Sequence, residues 1–387
     1  MSKHERTGSM PSYLRSNAIF HDPEMFGNEM ERIFREGWIL AGTDDRLPGR
    51  ETWFVHEDFE RSIIVTRDAS DRIHAFTNAC RHRGTRLCGG PGEGRLKCPY
   101  HGWVYDCDGR LLGVAKRAGF PRFDDADHGL LPVQVESIGR FIFVRSQSDR
   151  PQTSKLREFL GPETTAMLEN MSSLMHTLIE ELSFDIEADW KFCVAGSIED
   201  YHVPFVHPSS LEPARSSDSQ PALYRNGHSY ASVGVDPGAA LRWLARQMLN
   251  REPAGHQDHS HVFPNVIVIH TWILLSVTMF VPKGPGRTQR ITRLYDVAPQ
   301  RSRLAPLGAV QKLVHMVARR RARFAYDEDV WICEEAQCGT LGSRDMTRGP
   351  AHVTEARVEH FLHSVAQRLG YGEYWLPIKE KRVLEAS

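Results

Sequence analysis

Neither sign of charge dominates this 387-residue chain: 48 lysines and arginines face 49 aspartates and glutamates, a formal net charge of −1. So even a balance carries no electrostatic footprint for nucleic acid or for an acidic membrane surface. The short basic run Arg319-Arg320-Arg321-Ala322-Arg323 reads as a solvated helix face, with a docking patch for an acidic redox partner as the sharper alternative. The N-terminus, Met1-Ser2-Lys3-His4-Glu5-Arg6, lacks the apolar core of a signal peptide. The most apolar run, 266–281, is broken by His270, Thr271, Ser276 and Thr278, so no membrane span is expected and two buried strands are. Cysteines are few and odd in number, seven in all, which excludes a disulfide framework and fits a reducing cytoplasm. A dinucleotide fingerprint is also missing: Gly89-Gly90-Pro91-Gly92-Glu93-Gly94 is glycine-rich but does not sit at a strand-to-helix turn.

The cysteines and histidines that are present concentrate in two arms. Cys80-Arg81-His82-Arg83-Gly84 and Cys98-Pro99-Tyr100-His101-Gly102-Trp103 supply a Cys-x-His and a Cys-x-x-His pair, with fifteen residues between His82 and Cys98. Two thiolates and two imidazoles on paired loops are the donor set of a Rieske [2Fe–2S] centre, in which the cysteines hold one iron and the histidines the other. Zinc accepts the same four donors, but zinc fingers usually group cysteines with cysteines and histidines with histidines. Each arm here carries one of each, which favours iron–sulfur over zinc. Such a centre moves one electron at a time and performs no organic chemistry, so the rest of the chain must account for the electrons. Arg83, Arg86 and Trp103 read as packing beside the cluster; Cys88 and Cys107 lack ligand spacing, and Cys193, Cys333 and Cys338 read as ordinary helix cysteines.

The length is ample for two domains. A loose arm, 1–16, is followed by a helix over 23–34 and a series of short strands, among them 62–67, 73–77, 103–105 and 141–144, with a turn at 68–71. The polar stretch 146–154 is the candidate domain boundary. Beyond it the pattern predicts a helix over 156–175, a strand over 179–190 and a helix over 191–206. Residues 209–260 are patternless apart from a helical patch at 239–249. Strands and turns over 262–297, a hairpin at 282–286, a helix over 307–337 and an amphipathic helix over 354–369 complete the chain.

The second concentration of ligand-type residues is Glu199-Asp200-Tyr201-His202-Val203-Pro204-Phe205-Val206-His207. Histidines five apart on an ideal helix point about 140° from one another. They meet a common ion only if the helix distorts between them, for which Pro204 is a reason. Two neutral imidazoles and one carboxylate leave half an octahedron open, which suits ferrous iron that must take O2 beside a substrate. His270, mid-strand among apolar residues, is either a satisfied core histidine or a pocket wall.

Rieske proteins of respiratory complexes are similar in the first motif but add a cysteine to each ligand loop; here Tyr100 and Thr85 stand in those places, which resembles the Rieske domains of oxygenases and implies a lower-potential carrier. Glu199-x-Tyr201-His202-x4-His207 then resembles the motif of the catalytic (alpha) subunit of Rieske non-haem iron oxygenases of the ring-hydroxylating type. The resemblance runs from about Phe20 to Leu369 and includes Trp190-Lys191; Ala195-Gly196 departs from the Glu-Asn of many relatives. Downstream, Asp329 begins a stretch that resembles the family's Asp-x-x-Ile-x-Glu-x-x-Gln through Ile332, Glu334 and Gln337, which makes Asp329 the implied third iron ligand and Asp327 the alternative.

The resemblance implies an α+β fold: a small all-β Rieske [2Fe–2S] domain (40–150), and a helix-grip (START-like) catalytic domain with a long antiparallel sheet (151–387). Residues 1–39 are an arm and helix packing on the catalytic domain. It implies one [2Fe–2S] cluster on Cys80, His82, Cys98 and His101 and one mononuclear Fe(2+) on His202, His207 and Asp329 in each subunit of a head-to-tail homotrimer. Glu199, with Asp200 as alternative, is implied to bridge His202 to His101 of a neighbouring subunit without binding metal. The resemblance also implies that NAD(P)H serves only indirectly, through a separate flavin reductase with or without a ferredoxin. The implied function is O2-dependent hydroxylation, mono- or dioxygenation, of a small aromatic or heterocyclic substrate in aromatic hydrocarbon catabolism. Demethylation or monooxygenation of a quaternary amine is the alternative, and a Rieske electron carrier without oxygenase activity is a third, against which the length argues.

Overall fold

Short alternating segments punctuated by glycine and proline form sheet in the first half of the chain. The second half joins long strands to a few helices. The computed structural model describes residues 16–371 except 121, 147–153, 209–220, 235–254, 273, 298–307, 345 and 347. Of the arm expected over 1–16, all but Ser16 lies outside the described residues, as does the helical patch at 239–249. The chain divides into two compact units, Phe34–His176 and a second made of Met1–Ile33 with Thr177–Ser387.

The first unit is built on a seven-stranded antiparallel sheet in the order Ile39–Thr43, Phe141–Arg145, Pro132–Ile138, Ile73–Thr77, Arg61–Arg67, Thr52–Asp58, Gly92–Glu93. A three-stranded sheet, Leu96–Lys97, Val104–Tyr105 and Leu111–Gly113, carries the second ligand arm. The turn expected at 68–71 is held by Asp68, whose Oδ1 accepts the amides of Ser70 and Arg72, both at 2.8 Å. Cys80 and Cys98 lie in the same apolar cluster as Trp53, Phe76, Trp103 and Tyr105. Helix Leu156–Leu174 belongs to this unit because it packs on Pro132–Ile138 and Phe141–Arg145, with Ser172 Oγ accepting the Arg140 amide at 2.9 Å.

The second unit is organised by a long antiparallel sheet in the order Met175–Ile186, Arg287–Val297, Leu274–Gly284, Val266–His270, His256–Val262, Ser229–Gly234, Ala222–Leu223. Three of these strands, Ala222–Leu223, Ser229–Gly234 and His256–Val262, fall in the stretch that reads as patternless. Its polar residues pair across strands and so mask the apolar alternation: Ser232 faces Asp258, and Asp258 faces His270. The register places His259, His261, Ile267, Ile269, Ser276, Thr278, Phe280, Arg290 and Thr292 on one face, because side chains alternate along each strand. The helices grip that face. Arg290 lies over the Tyr326 ring of helix Gly308–Leu341 at 3.8 Å, and His261 meets Phe361 of helix Ala356–Arg368 at 5.4 Å.

The N-terminal helix, Pro23–Glu29, starts on Asp22, whose carboxylate accepts the Glu24 and Met25 amides, and continues as a π-turn over Met30–Arg35. It brings Glu29, fully buried, onto Lys191 Nζ at 2.7 and 2.9 Å and Trp190 Nε1 at 2.8 Å; Asp189 Oδ1 is 2.9 Å from the same ammonium. This accounts physically for the Trp190-Lys191 pair. Two carboxylates thus share one cation out of water. Burial pushes the Glu29 carboxyl up to about 7, against the pull of Lys191 and with the help of Asp189. The folded protein then holds a proton that the unfolded chain, with its ordinary value of 4.5, has lost. The associated stabilisation is complete below that ordinary value and is lost as pH rises through about 7. Replacing Glu29 by Gln should therefore flatten the decline in urea-unfolding free energy across that window. An undiminished slope in the variant would assign the proton elsewhere.

Candidate functional site

The two ligand arms of the first unit have the same backbone. In each, the cysteine amide bonds the carbonyl five residues on (Cys80 N to Thr85 O at 2.8 Å, Cys98 N to Trp103 O at 2.7 Å) and the cysteine carbonyl accepts the glycine amide four residues on. Those glycines, Gly84 and Gly102, have φ of 70° and 69°, a left-handed conformation that a side chain opposes. The loops thereby turn both pairs of donors the same way, although His82 is two residues and His101 three residues from its cysteine. The Cys80 and Cys98 side chains are buried, and the His82 and His101 rings are 4.5 Å apart. His82 stacks on Trp103 at 5.0 Å, and Tyr105 Oη lies 3.4 Å from Cys80 Sγ. Burial pushes the Cys80 thiol up, with Cys98 adding to it. Arg86 is turned outward onto Glu57 and Arg83 is exposed, so of the three residues expected to shield this centre only Trp103 does so.

One observation fits a metal centre here: His82 Nδ1 is buried without a hydrogen-bond partner, the condition of a nitrogen reserved for a metal.

In the second unit the expected helix over 191–206 is interrupted. A helix runs Trp190–Ser197, capped by Asp189, and a single turn runs Val203–Val206 with Pro204 in its first positions. The break falls before Pro204, at 198–202, where the Glu199 carboxylate takes the Tyr201 and His202 amides that a continuous helix would have used. The rings of His202 and His207 come to 5.3 Å, and both turn Nε2 to Asp329 Oδ1, at 3.9 Å for His202 and 3.0 Å for His207. These three form a group whose donor atoms lie within 4.8 Å of one another. Asp327, two residues along the helix from Asp329, is exposed and outside it.

Each imidazole is held at its other nitrogen. Glu199 Oε1 accepts from His202 Nδ1, and Glu328 Oε2 from His207 Nδ1 at 2.7 Å. Arg290 Nη1 donates to Asp329 Oδ2 at 3.1 Å, leaving Oδ1 to the histidines. Burial pushes the Asp329 carboxyl up, but the His207 hydrogen bond and the Arg290 charge outweigh it and hold it below its ordinary value. Burial pulls His207 down, yet Asp329 and Glu328 raise it overall. Three carboxylates and one guanidinium leave two negative charges around two imidazoles, the complement of one divalent ion.

The motif residues beyond Asp329 have a positional role. Glu334 Oε1 accepts the Glu187 amide at 3.1 Å and Gln337 Oε1 the Asp189 amide at 3.0 Å, so the helix bearing Asp329 is pinned to the start of the segment bearing His202. Arg290, Glu328 and His259 escape sequence reading. Glu328 had a signal, its adjacency to Asp329, but Arg290 and His259 sit on strands and reach the site only through sheet register. His259 takes Arg357 Nη1 on Nδ1 at 3.2 Å, and burial with the Arg357 charge pushes it down to about 3, so it is neutral with the proton on Nε2. His270 bonds Asp258 at 3.2 Å on the opposite face of the sheet, a satisfied histidine away from the triad.

Comparison with known proteins follows the same division. Residues 37–124 match the Rieske [2Fe-2S] domain, and residues 176–371 match the family described as ring hydroxylating alpha subunit (catalytic domain). The glycine betaine monooxygenase oxygenase subunit of Chromohalobacter salexigens is 36% identical over 251 residues, 61% of this chain and 54% of that one. Its counterpart in Pseudomonas aeruginosa is 32% identical over 207 residues, covering 52% and 46%. The chain spans about half the length of these curated relatives. The choline monooxygenase of Arabidopsis thaliana is 24% identical over 92% of this chain and 82% of that one. Among solved structures, a quaternary ammonium Rieske monooxygenase bound to L-carnitine superposes with a TM-score of 0.74 at 20% identity, covering 91% of this chain and 94% of that one. Naphthalene 1,2-dioxygenase from a Rhodococcus species, bound to indole, does so at 0.73 and 21%, covering 94% of each. At these identities both show the fold.

Proposed function

Because the chain belongs to the ring-hydroxylating alpha subunit family and carries a Rieske [2Fe-2S] domain ahead of the catalytic domain, we propose that it is the oxygenase component of a Rieske non-haem iron monooxygenase acting on a small quaternary ammonium compound. The observation that carries the enzyme class is the convergence of His202 Nε2, His207 Nε2 and Asp329 Oδ1 in surroundings charged for a divalent ion. Its substrate class is supported by the relatives at 30% identity or more, which are named for glycine betaine and choline. Aromatic hydrocarbon catabolism, expected from the sequence, has no such support, since the likeness to naphthalene 1,2-dioxygenase is one of fold.

Iron in the triad would supply O2 activation, and a cluster on Cys80, His82, Cys98 and His101 would supply electrons singly. The protein's part is positional. Glu199 holds the His202 ring with Nε2 forward, Arg290 orients the Asp329 carboxylate, and Trp103 shields His82. The electrons originate from NAD(P)H and arrive through a separate reductase in a cytoplasmic homotrimer. Among the described residues no helix is long and apolar enough to cross a membrane.

Glu199 is the residue we assign to link the two centres. Its Oε1 accepts one bond, from His202, and has a second lone pair to offer an imidazole N–H such as that of His101 in a neighbouring copy; His101 is partly exposed beside the exposed Tyr100. Replacing Glu199 by Gln should slow reductant-driven turnover by roughly 10–100-fold, the usual cost of losing an outer-sphere carboxylate, with cluster absorbance and total iron unchanged. Full coupled turnover in that variant removes Glu199 from the electron path. The substrate is tested by reductase-driven O2 consumption with glycine betaine, choline and carnitine against aromatic acids and heterocycles. Product formation confined to the aromatic set would overturn the substrate class and leave the enzyme class standing.

A further inference from the structure

We propose that Glu328 is a positioning residue for the mononuclear metal, fixing His207 so that its Nε2 lone pair faces the ion. The inference rests on reading His202, His207 and Asp329 as ligands. His207 is held at both ring nitrogens: Glu328 Oε2 is 2.7 Å from Nδ1 and Asp329 Oδ1 is 3.0 Å from Nε2. An ionised carboxylate only accepts, so the Glu328 contact keeps a proton on Nδ1, and the proton that Nε2 shares with Asp329 is the one a metal would displace. Consecutive residues on a helix point about 100° apart and do not face one another. Glu328 and Asp329 can therefore share one imidazole only if the ring lies across the helix surface between them, which fixes its tilt as well as its tautomer.

The two histidines are held by different means. Glu199, three residues before His202, acts within one loop. Glu328 reaches His207 across 121 residues and joins the His-bearing loop to the helix that supplies the third ligand. His207 is the more enclosed of the two, with its side chain 2% exposed against 20% for His202, so Glu328 is its polar partner away from the triad. A bond serving only to anchor the loop makes a different forecast: it lowers the stability of the metal-free protein and leaves the metal's own signature unchanged.

The experiment is an anaerobic Co(II) titration of the full, cluster-loaded chain after its mononuclear iron is removed by a ferrous chelator. It is read by the Co(II) d–d absorption and by the rise in Tm that metal produces. Glu328→Ala should weaken Co(II) binding by roughly 10–100-fold and change the d–d band, with a smaller metal-induced Tm rise. Glu328→Gln, which retains an acceptor oxygen and is close to isosteric, should fall between Ala and wild type. A metal-free Tm near that of wild type in either variant, together with weakened binding, excludes simple anchoring. If Ala does not fold, Gln decides: wild-type affinity and an unchanged band in Gln overturn the proposal. So does a Glu328→Ala protein that folds and binds Co(II) within about twofold of wild type with the same band. Asp329→Ala separates the premise, since a wild-type titration that this variant leaves unaltered would mean that the triad is not the metal site at all.

Discussion

Asp329→Ala should abolish turnover while leaving the cluster intact. The aspartate does two things at once. Its Oδ1 is the atom on which both Nε2 nitrogens converge, and its Oδ2 neutralises Arg290 at 3.1 Å. Truncation removes the proposed ligand and also leaves a buried guanidinium beside the place of a cation, so the loss should exceed that of an ordinary ligand deletion. Several kcal/mol of lost metal binding corresponds to a fall in activity on the order of a thousandfold or more. Iron analysis reads it directly, because the cluster accounts for two irons and the mononuclear site for one: the variant should lose only the chelatable iron, with the Rieske absorption unaltered. Asp327→Ala is the matched control, since that side chain is exposed, and should behave as wild type. If the control loses iron and Asp329→Ala keeps it, the ligand assignment is wrong. Wild-type protein with cluster iron alone, and no O2 consumption with any substrate, would favour an electron carrier.

Lys191→Met should produce the largest loss of stability. The ammonium is 1% exposed and is the cation shared by Glu29 and Asp189, so its removal leaves two carboxylates facing one another out of water. Breaking a buried pair from one side costs about 3–5 kcal/mol, a large part of the 5–15 kcal/mol that typically holds a domain folded. Denaturant unfolding at neutral pH measures it. The loss should deepen as pH rises above about 7, where Glu29 gives up its proton, and Glu29→Gln on top of Lys191→Met should recover part of it. A loss of less than about 1 kcal/mol would show that the triad contributes no more than a surface ion pair. The position matters for function too, because Asp189 caps the helix that runs toward His202 and accepts from Lys191, while its amide is held by Gln337 of the Asp329 helix.

Much of this protein is written in local chemistry. The two cluster arms are legible because each packs cysteine, histidine and a left-handed glycine into five residues, and the backbone bonds that shape such a loop are all local. The Glu199-to-His207 segment is legible for the same reason, although the break in its helix came from the Glu199 carboxylate competing for amides ahead of Pro204. The third carboxylate is placed at Asp329 by the motif's register, with Asp327 as the alternative, and the helix phase that separates them is set by Glu334 and Gln337 gripping amides 147 and 148 residues away. Strands rich in serine, aspartate and histidine gave no apolar alternation, and polar side chains such as Asp258 find partners on neighbouring strands, in Tyr230 and His270.

The sequence by itself thus determined which donor atoms are offered to the proposed centres: two thiols, four imidazoles and, downstream, Asp329 with Asp327 as the alternative. Only the tertiary structure decided how those atoms are held. Arg290 on a strand and Glu328 on a distant helix act on the site, and Glu29 near the N-terminus holds the Trp190-Lys191 segment, through contacts that sheet register and helix packing create. The histidine and cysteine donors are side chains close in sequence, whereas Asp329 joins His207 across 122 residues. Ligand orientation depends on which remote groups remain to satisfy the second nitrogen of a ring or the second oxygen of a carboxylate, and that is settled when the chain closes on itself.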